Sequence, residues 1–431
     1  MSKSLLVVFG SNAVSDNTTE YNPLVGSINT GSTTTGNYDT PIRDAGTFSN
    51  LFTYVPTNTA SVTSTITLQD SQVDTALTVS YTADQTGIKE DTSNTAALAN
   101  TDEAQYETTV PDEAGTNTLT ATLYGVEFTP DTSSDCIVIL GATGSISFGN
   151  ASETSYLLPG SPTNTTTIGN AKYRARFSFT SSDLYTFLST NARTTDIVYR
   201  VMKNGANGNQ SVTYTSGQTG AKEDTSNSDS FASGDDFAFS RTTGAGTELA
   251  NQTVISCSCI NTSGIFPLIA GLASGSAIAA NTTNYFPISG RAVPAETTEA
   301  DTQIYPRFTF TASELGAYVS VNAAASLATN ITLRDNGVDS ALTVQYLAGQ
   351  TGLKNDSVNT VEITSGSDEI DYDVTCLDLT GGVTVTWIGI LGSTAVAGGP
   401  TITTFRTLLG VGQALFLLLL KPLFDTLNPF R

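Results

Sequence analysis

The sequence predicts an all-β protein: three tandem antiparallel β-sandwich domains followed by an apolar C-terminal segment. Three observations carry this. One block of residues recurs three times along the chain. Within each block the runs alternate apolar with polar at period two and are rich in β-branched and aromatic residues, as in TITLQ from Thr65 and LTVSY from Leu77. Clusters of Gly, Asn, Asp, Ser and Thr separate the runs at the spacing of a sandwich.

Length and composition agree. The chain has 431 residues, 39% of them hydrophobic and only 13% charged, which is enough for about three domains with cores. Against 40 Asp+Glu stand 18 Lys+Arg, a net charge of −22, so there is little material for the basic face that nucleic acid requires. Histidine is absent. That removes Ser-His-Asp and Cys-His nucleophiles, HExxH sites and every His-ligated metal. Carboxylate pairs remain available to an enzyme, but none converges in the sequence, and a non-enzymatic chain is expected. The four cysteines form no CxxC pair. Cys257 and Cys259, two apart in VISCSCI, should share one face of a strand as small buried side chains.

Along the chain, the first element is SLLVVFG from Ser4. Its apolar stretch is shorter than the roughly 7–15 residues of a secretory signal, so no signal peptide is expected. It reads as a final strand whose own domain is missing, completing a sheet in this chain or in a neighbour. Similar runs, CIVILGA from Cys136 and TVISCSC from Thr253, precede the next two units, and VTWIGILG from Val385 closes the third. These divide the chain into an N-terminal strand segment (1–19), repeats at 20–145, 146–280 and 281–397, and a tail at 398–431. Each repeat opens on an aromatic-proline stretch: Tyr21-Asn22-Pro23, Tyr156-Leu157-Leu158-Pro159 and Tyr285-Phe286-Pro287. SNLFTYV, SDLYTFL and SELGAYV follow, aligning Leu51, Leu184 and Leu315. Thr311 to Glu314 has the spacing of a helix capping box, yet its counterparts fit strands, and strand is preferred. Asn204-Gly205 and Asn336-Gly337 mark tight hairpins; Ser71-Gln72 stands at the matching place, so a different turn is expected there.

The strongest match follows. Gln85, Gly87, Lys89 and Asp91 align with Gln218, Gly220, Lys222 and Asp224, and with Gln350, Gly352, Lys354 and Asp356. The simplest role is structural: a turn whose Asp and Asn side chains bond their own backbone, with the lysine pairing a nearby acid. The acidic clusters Asp235-Asp236 and Asp368-Glu369 with Asp371 and Asp373 could hold Ca²⁺, which takes oxygen ligands, although no EF-hand pattern is present; otherwise no cofactor is expected. GATGS at Gly141 lacks the lysine of a phosphate loop, and GLASGS at Gly271 lies in an apolar insert, SGIFPLIAGLASGSAIAA, peculiar to the second unit. That insert is expected to cover an edge or meet a partner.

The order of an x-x-N-G hairpin, a short strand, G-Q-T-G-x-K-x-D-x-x-N and then G-D-x-x-x-(F/Y) resembles the C1q/TNF-type jelly-roll modules of phage and virus structural proteins, over residues about 20–395. The first unit departs most, lacking the Asn-Gly and carrying Thr101-Asp102 in place of Gly-Asp or Ser-Asp. The resemblance implies jelly-roll domains that trimerise about a three-fold axis. Three modules in one chain could form a homotrimer of stacked rods or one chain folded as a pseudo-trimer. The near-zero linkers favour the rod.

The tail changes composition. Leu408 to Leu420 is apolar except for Gln413, bracketed by Arg406 and Lys421. A helix of that length reaches about 20 Å, short of the ~30 Å hydrocarbon core, so docking on a protein partner is preferred to a membrane anchor. Leu408, Leu409, Leu415, Phe416, Leu418, Leu419, Leu423 and Phe424 are the expected docking residues. The functional expectation is a virion structural protein, made in the host cytoplasm, displayed on a capsid or fibre and attached through its terminal segments. Two alternatives stand beside it: an adhesin for host glycans or receptors, and a prokaryotic filament subunit that donates its N-terminal strand.

Overall fold

The structure is a computed structural model. It describes residues 3–394 except 29–30, 114, 132–135, 149–151, 247 and 292–295, and not the side chains of 143–145 and 291. Among the described residues, twenty-four long strands fall into three sets of eight. Module 1 holds β1 (Ser4–Ser15), β2 (Thr18–Pro23), β3 (Gly46–Val55), β4 (Ser64–Asp70), β5 (Val73–Tyr81), β6 (Gly87–Leu98), β7 (Glu103–Val110) and β8 (Thr118–Pro130). Module 2 holds β9 (Cys136–Phe148), β10 (Glu153–Leu157), β11 (Phe179–Asn191), β12 (Ile197–Lys203), β13 (Ala206–Tyr214), β14 (Gly220–Phe231), β15 (Asp236–Thr243) and β16 (Ala250–Asn261). Module 3 holds β17 (Ile265–Ile278), β18 (Thr282–Phe286), β19 (Phe310–Asn322), β20 (Thr329–Asp335), β21 (Val338–Tyr346), β22 (Gly352–Ile363), β23 (Ile370–Cys376) and β24 (Val383–Ser393).

Each set pairs in the same way. One sheet runs β1-β8-β3-β6 and the other β2-β7-β4-β5, with β9-β16-β11-β14 and β10-β15-β12-β13, then β17-β24-β19-β22 and β18-β23-β20-β21, as their counterparts. Counted within a module, the orders 1-8-3-6 and 2-7-4-5 are those of an eight-stranded jelly roll. The fold class expected from the sequence is therefore found: all-β, antiparallel jelly-roll sandwiches in tandem.

These pairings regroup the segments at the module joints. SLLVVFG is not the last strand of an absent domain. It is the first strand of module 1 and pairs with β8 of the same chain, from Ser4 opposite Phe128 to Ser15 opposite Thr118. CIVILGA likewise opens module 2 and pairs with TVISCSC, which closes it. The segment read as an insert of the second unit is β17, the first strand of module 3, paired with VTWIGILG. The joints therefore fall at 131–135 and 262–264, earlier than the boundaries at 145/146 and 280/281. Sequence similarity is strongest in the middle of each repeat and weakest in the first strands, which is why the frame slipped.

Local details follow the sequence closely. Thr311 to Glu314 lies in β19, and Glu314 is a bulge residue at φ +54, matching Asn50 (+54) and Asp183 (+55). Asn204-Gly205 and Asn336-Gly337 are left-handed at both positions, as a tight I′ hairpin requires. Ser71-Gln72 adopts the same turn, at φ +49 and +68, contrary to the expectation of a different one. Two non-glycine residues accept the left-handed region because the flanking strands β4 and β5 keep the register of their siblings. Cys257 and Cys259 share a buried face of β16, their sulfurs 4.0 Å apart as free thiols.

The modules do not form a rod. They close a ring about a common centre. In β1 every residue from Leu5 to Phe9 is buried, whereas a strand of an isolated sandwich buries one face. Leu6 and Val8 point into module 1's own core. Leu5, Val7 and Phe9 join a core shared with Val138 and Leu140 of β9 and Leu268 and Ala270 of β17. The turn glycines Gly26, Gly160 and Gly290, left-handed at φ +93, +83 and +93, pack together there. A Cβ on Gly160 would sit 3.0 Å from the carbonyl oxygen of Gly290, and one on Gly290 would sit 3.1 Å from that of Gly26. Only a glycine fits such an approach. A cavity of about 30 Å³, lined from all three modules by residues such as Leu5, Val138 and Ile269, remains between them. The short joints that suggested a rod are compatible with a ring because each first strand lies at the centre, beside the next.

Candidate functional site

The residues singled out by the repeat all close one turn, which carries the chain from strand 5 in one sheet to strand 6 in the other in each module. Gln85, Gln218 and Gln350 accept the backbone N–H of Thr82, Thr215 and Leu347 at 3.1, 2.9 and 3.0 Å. Gly87, Gly220 and Gly352 lie at φ +94, +85 and +92. Nothing stands within 4 Å of where their Cβ would be, so conformation and not space requires glycine. Lys89, Lys222 and Lys354 donate to the carbonyl oxygens of Ser80, Thr213 and Gln345 at 2.6, 2.8 and 2.6 Å. They also lie over the rings of Tyr81, Tyr214 and Tyr346. The lysines therefore cap a carbonyl, and do not pair an acid as the sequence suggested. Asp91, Asp224 and Asp356 accept from the backbone N–H of Thr78, Ser211 and Thr343 at 3.1, 2.9 and 3.2 Å. Partial burial alone would raise the Asp91 carboxyl; the bonds from Asn94, Thr78 and Ser93 hold it below the usual carboxylate range. Asn58, Asn191 and Asn322 finish the clasp, each donating to two carbonyl oxygens of the turn. These groups bond the backbone of their own turn.

The acidic clusters do not converge. Asp235 takes Asn204 Nδ2 at 2.7 Å, and Asp236 pairs with Lys172 at 2.8 Å and with Arg174. Asp368 accepts from Thr364 N at 2.6 Å and Asn336 Nδ2 at 3.2 Å. Asp371 and Asp373 are bonded by Thr302 and Thr375, both at 2.9 Å. Among the described residues no three His, Cys, Asp or Glu side chains are grouped to hold a metal ion. Burial pushes Asp371 up to about 8 and Asp373 up to about 6. Gly141 and Gly271 lie within β9 and β17, so neither belongs to a phosphate loop. The tail with Leu408, Leu409, Leu415, Phe416, Leu418, Leu419, Leu423 and Phe424 lies outside the described residues. Among the described residues no helix is long and apolar enough to cross a membrane.

What the structure does bring together is three equivalent seams, which the sequence reading missed. In each, the loop before strand 3 of one module lies on the 1-8-3-6 sheet of the next. From module 1 to module 2, Arg43 pairs with Glu223 at 2.5 Å, Thr253 Oγ1 donates to the carbonyl oxygen of Asn37 at 2.5 Å, and Tyr38 packs on Tyr185, Phe187 and Val254. From module 2 to module 3, Trp387 donates its indole N–H to the carbonyl oxygen of Lys172 at 3.1 Å and meets Tyr173 edge-on at 5.6 Å. From module 3 back to module 1, Arg307 pairs with Glu90, and the Tyr54 hydroxyl donates to Asp301 at 2.7 Å. Burial and that bond push Tyr54 up to about 12. Arg43, Arg176 and Arg307 each stand eight residues before the aligned leucine, a signal that was available. Their partners Glu90 and Glu223 align with Asn355, so the middle seam lacks its acid. Arg176 there has Nε and one terminal nitrogen without a hydrogen-bond partner. Desolvation lowers its affinity for its proton, with Glu314 partly offsetting this.

No family model and no curated protein matches the sequence. Among solved structures, the chain is similar to a xanthan lyase from Paenibacillus at 13% identity and a TM-score of 0.18, over 64% of this chain and 30% of the lyase chain. It is also similar to a protein described under the triple jelly roll fold and turret assembly in an archaeal virus, at 11% identity and a TM-score of 0.14, over 90% of each chain. At such scores neither likeness carries an argument about this chain, and the jelly-roll assignment rests on the sheet order.

Proposed function

We propose that the chain is a non-enzymatic virion structural protein, displayed on a viral capsid or fibre and held there through its terminal segments. The observation that carries this reading is a closed head with both ends at one pole. Lys3 lies over the ring of Phe308, which meets Phe266 edge-on; Phe266 pairs with Gly392, one residue before the end of β24. The entry of β1 and the exit of β24 are therefore neighbours. The loops 323–328 and 377–382 lie at the opposite end of β24, about 30 Å away at ~3.3 Å per residue. A head so built can be held through its terminal segments with its far loops facing outward. Three modules already close within one chain, so a homotrimer would be a second level of assembly.

The test compares full-length protein with a chain ending at Thr394. The full-length protein should co-sediment with capsids or other virion subunits as the truncated chain stays a free, folded monomer or trimer by mass. Equal behaviour of the two, or flotation of the full-length chain with lipid, would refute docking through the tail. A second reading, a host-surface adhesin, is favoured by exposed Leu327, Leu377 and Leu379 on the far loops. Binding of the truncated chain to host cells or glycans would support it. The strand-donating filament subunit finds no support, because SLLVVFG is paired and buried within its own chain.

A further inference from the structure

We propose that module 1 holds its seam loop, residues 32–44, by a proton shared between Asp39 and Glu103, which makes the seam between modules 1 and 2 the one that loosens as pH rises. The argument starts from equivalent positions. In module 2 the residues aligned with Asp39 and Glu103 are Lys172 and Asp236, an ion pair at 2.8 Å that ties the loop to β15. In module 3 they are Gln303 and Glu369, and Glu369 is bonded by the Tyr305 hydroxyl. Only module 1 places two acids there. Glu103 stands opposite Pro41 and Ala104 opposite Thr40, which brings Asp39 beside Glu103, and neighbouring carboxylates cannot both ionise without repulsion.

Asp39 is buried and accepts from Gln72 Nε2 at 3.1 Å through one oxygen. Its other oxygen is buried with no hydrogen-bond partner; a protonated Glu103 would supply a donor to it. Burial, then the charge of Asp39, pushes Glu103 up to about 7. The charged and titratable groups facing the pair are Arg43 on the same loop, Glu223 on β14 and Tyr185 on β11. Arg43 is already paired with Glu223, so their effects on Glu103 oppose each other. Nearby Asp102 is engaged with the backbone N–H of Ala99 at 2.6 Å. The loop carries Asn37, Tyr38 and Arg43, all of which touch module 2, so repulsion between Asp39 and Glu103 acts on the seam directly.

Hydrogen exchange read by mass spectrometry on the full chain tests this, corrected for intrinsic rates, between about pH 5.5 and about pH 8.5. The module 2 loop 167–176, with its Lys172–Asp236 pair, is the internal control. Protection of 36–44 should fall about tenfold across that range as the proton is lost, with 167–176 changing much less. Glu103→Gln keeps a donor to Asp39 at every pH and should abolish the slope. Asp39→Lys recreates the module 2 pair and should abolish it too, which keeps the test alive if the first variant does not fold. Parallel slopes in the two loops, or a wild-type slope in either folded variant, would overturn the proposal.

Discussion

Arg307 and Glu90 sit on the last and first modules, so their pairing is one of the contacts that close the ring, and in a rod they could not meet. Both are largely buried, with side-chain exposures of 21% and 19%. Charges about 4 Å apart attract by roughly 4 kcal/mol at an effective dielectric of ~20. Desolvation and side-chain ordering offset much of that. Exposed pairs net about 0.2–1 kcal/mol, whereas removing one partner of a buried pair costs about 3–5 kcal/mol. This pair lies between, so a coupling energy of about 1–2 kcal/mol is expected. The assay is a double-mutant cycle with Arg307→Ala, Glu90→Ala and the double variant, read by denaturant midpoints. The double variant should be less destabilised than the sum of the singles by that amount. Residues this far apart in the chain that do not touch add within about 0.3–0.5 kcal/mol. Additivity within that limit would refute the closed ring.

Four further outcomes are expected. Asn355→Glu should give Arg176 the acid its siblings have and raise stability by about 0.5–1 kcal/mol, seen as a higher urea midpoint. Gly290→Ala should destabilise by about 3 kcal/mol or prevent folding, since its Cβ would sit 2.5 Å from Phe9 N at φ +93; circular dichroism and the yield of soluble protein read this. Ser71→Asn should stabilise by about 0.5–1 kcal/mol in a thermal melt. Glu103 N reaches Ser71 Oγ at 3.4 Å, whereas Asn204 and Asn336 take the equivalent bonds at 2.8 and 3.1 Å. Asp371 keeps its proton up to about 8 in the folded chain against an ordinary value of 3.8. The folded state thus binds more protons in that window, and stability falls as pH rises through it, by up to about 6 kcal/mol from this group. Asp371→Asn should flatten the loss of denaturant midpoint between about pH 4 and about pH 8; an unchanged slope would be the contrary result.

The parts legible in the sequence are those governed by short-range chemistry. Alternation at period two named the strands, and the repeat named the turn that Gln85, Gly87, Lys89 and Asp91 close. Gln85, Lys89 and Asp91 bond backbone 3, 9 and 13 positions away, within one turn and its flanking strands, so their spacing carries most of the message. The role of Lys89 was only half legible, because an acid and a carbonyl oxygen attract an ammonium alike. Ser71-Gln72 was misread because the turn there is imposed by the register of β4 and β5 against its own preference.

Tertiary structure alone decided the ring. Whether Arg307 meets Glu90, or Trp387 meets Lys172, depends on contacts between residues hundreds of positions apart that no local spacing encodes. One trace of it was present: SLLVVFG, CIVILGA and FPLIAGLA are apolar without alternation, which means strands covered on both faces. The sequence by itself determined three β-sandwich repeats and most of their turns, because propensity and alternation act within a strand or a turn. What covers the outer faces of β1, β9 and β17 follows only once three modules compete to bury them, and burying them against one another removes the most apolar surface from water.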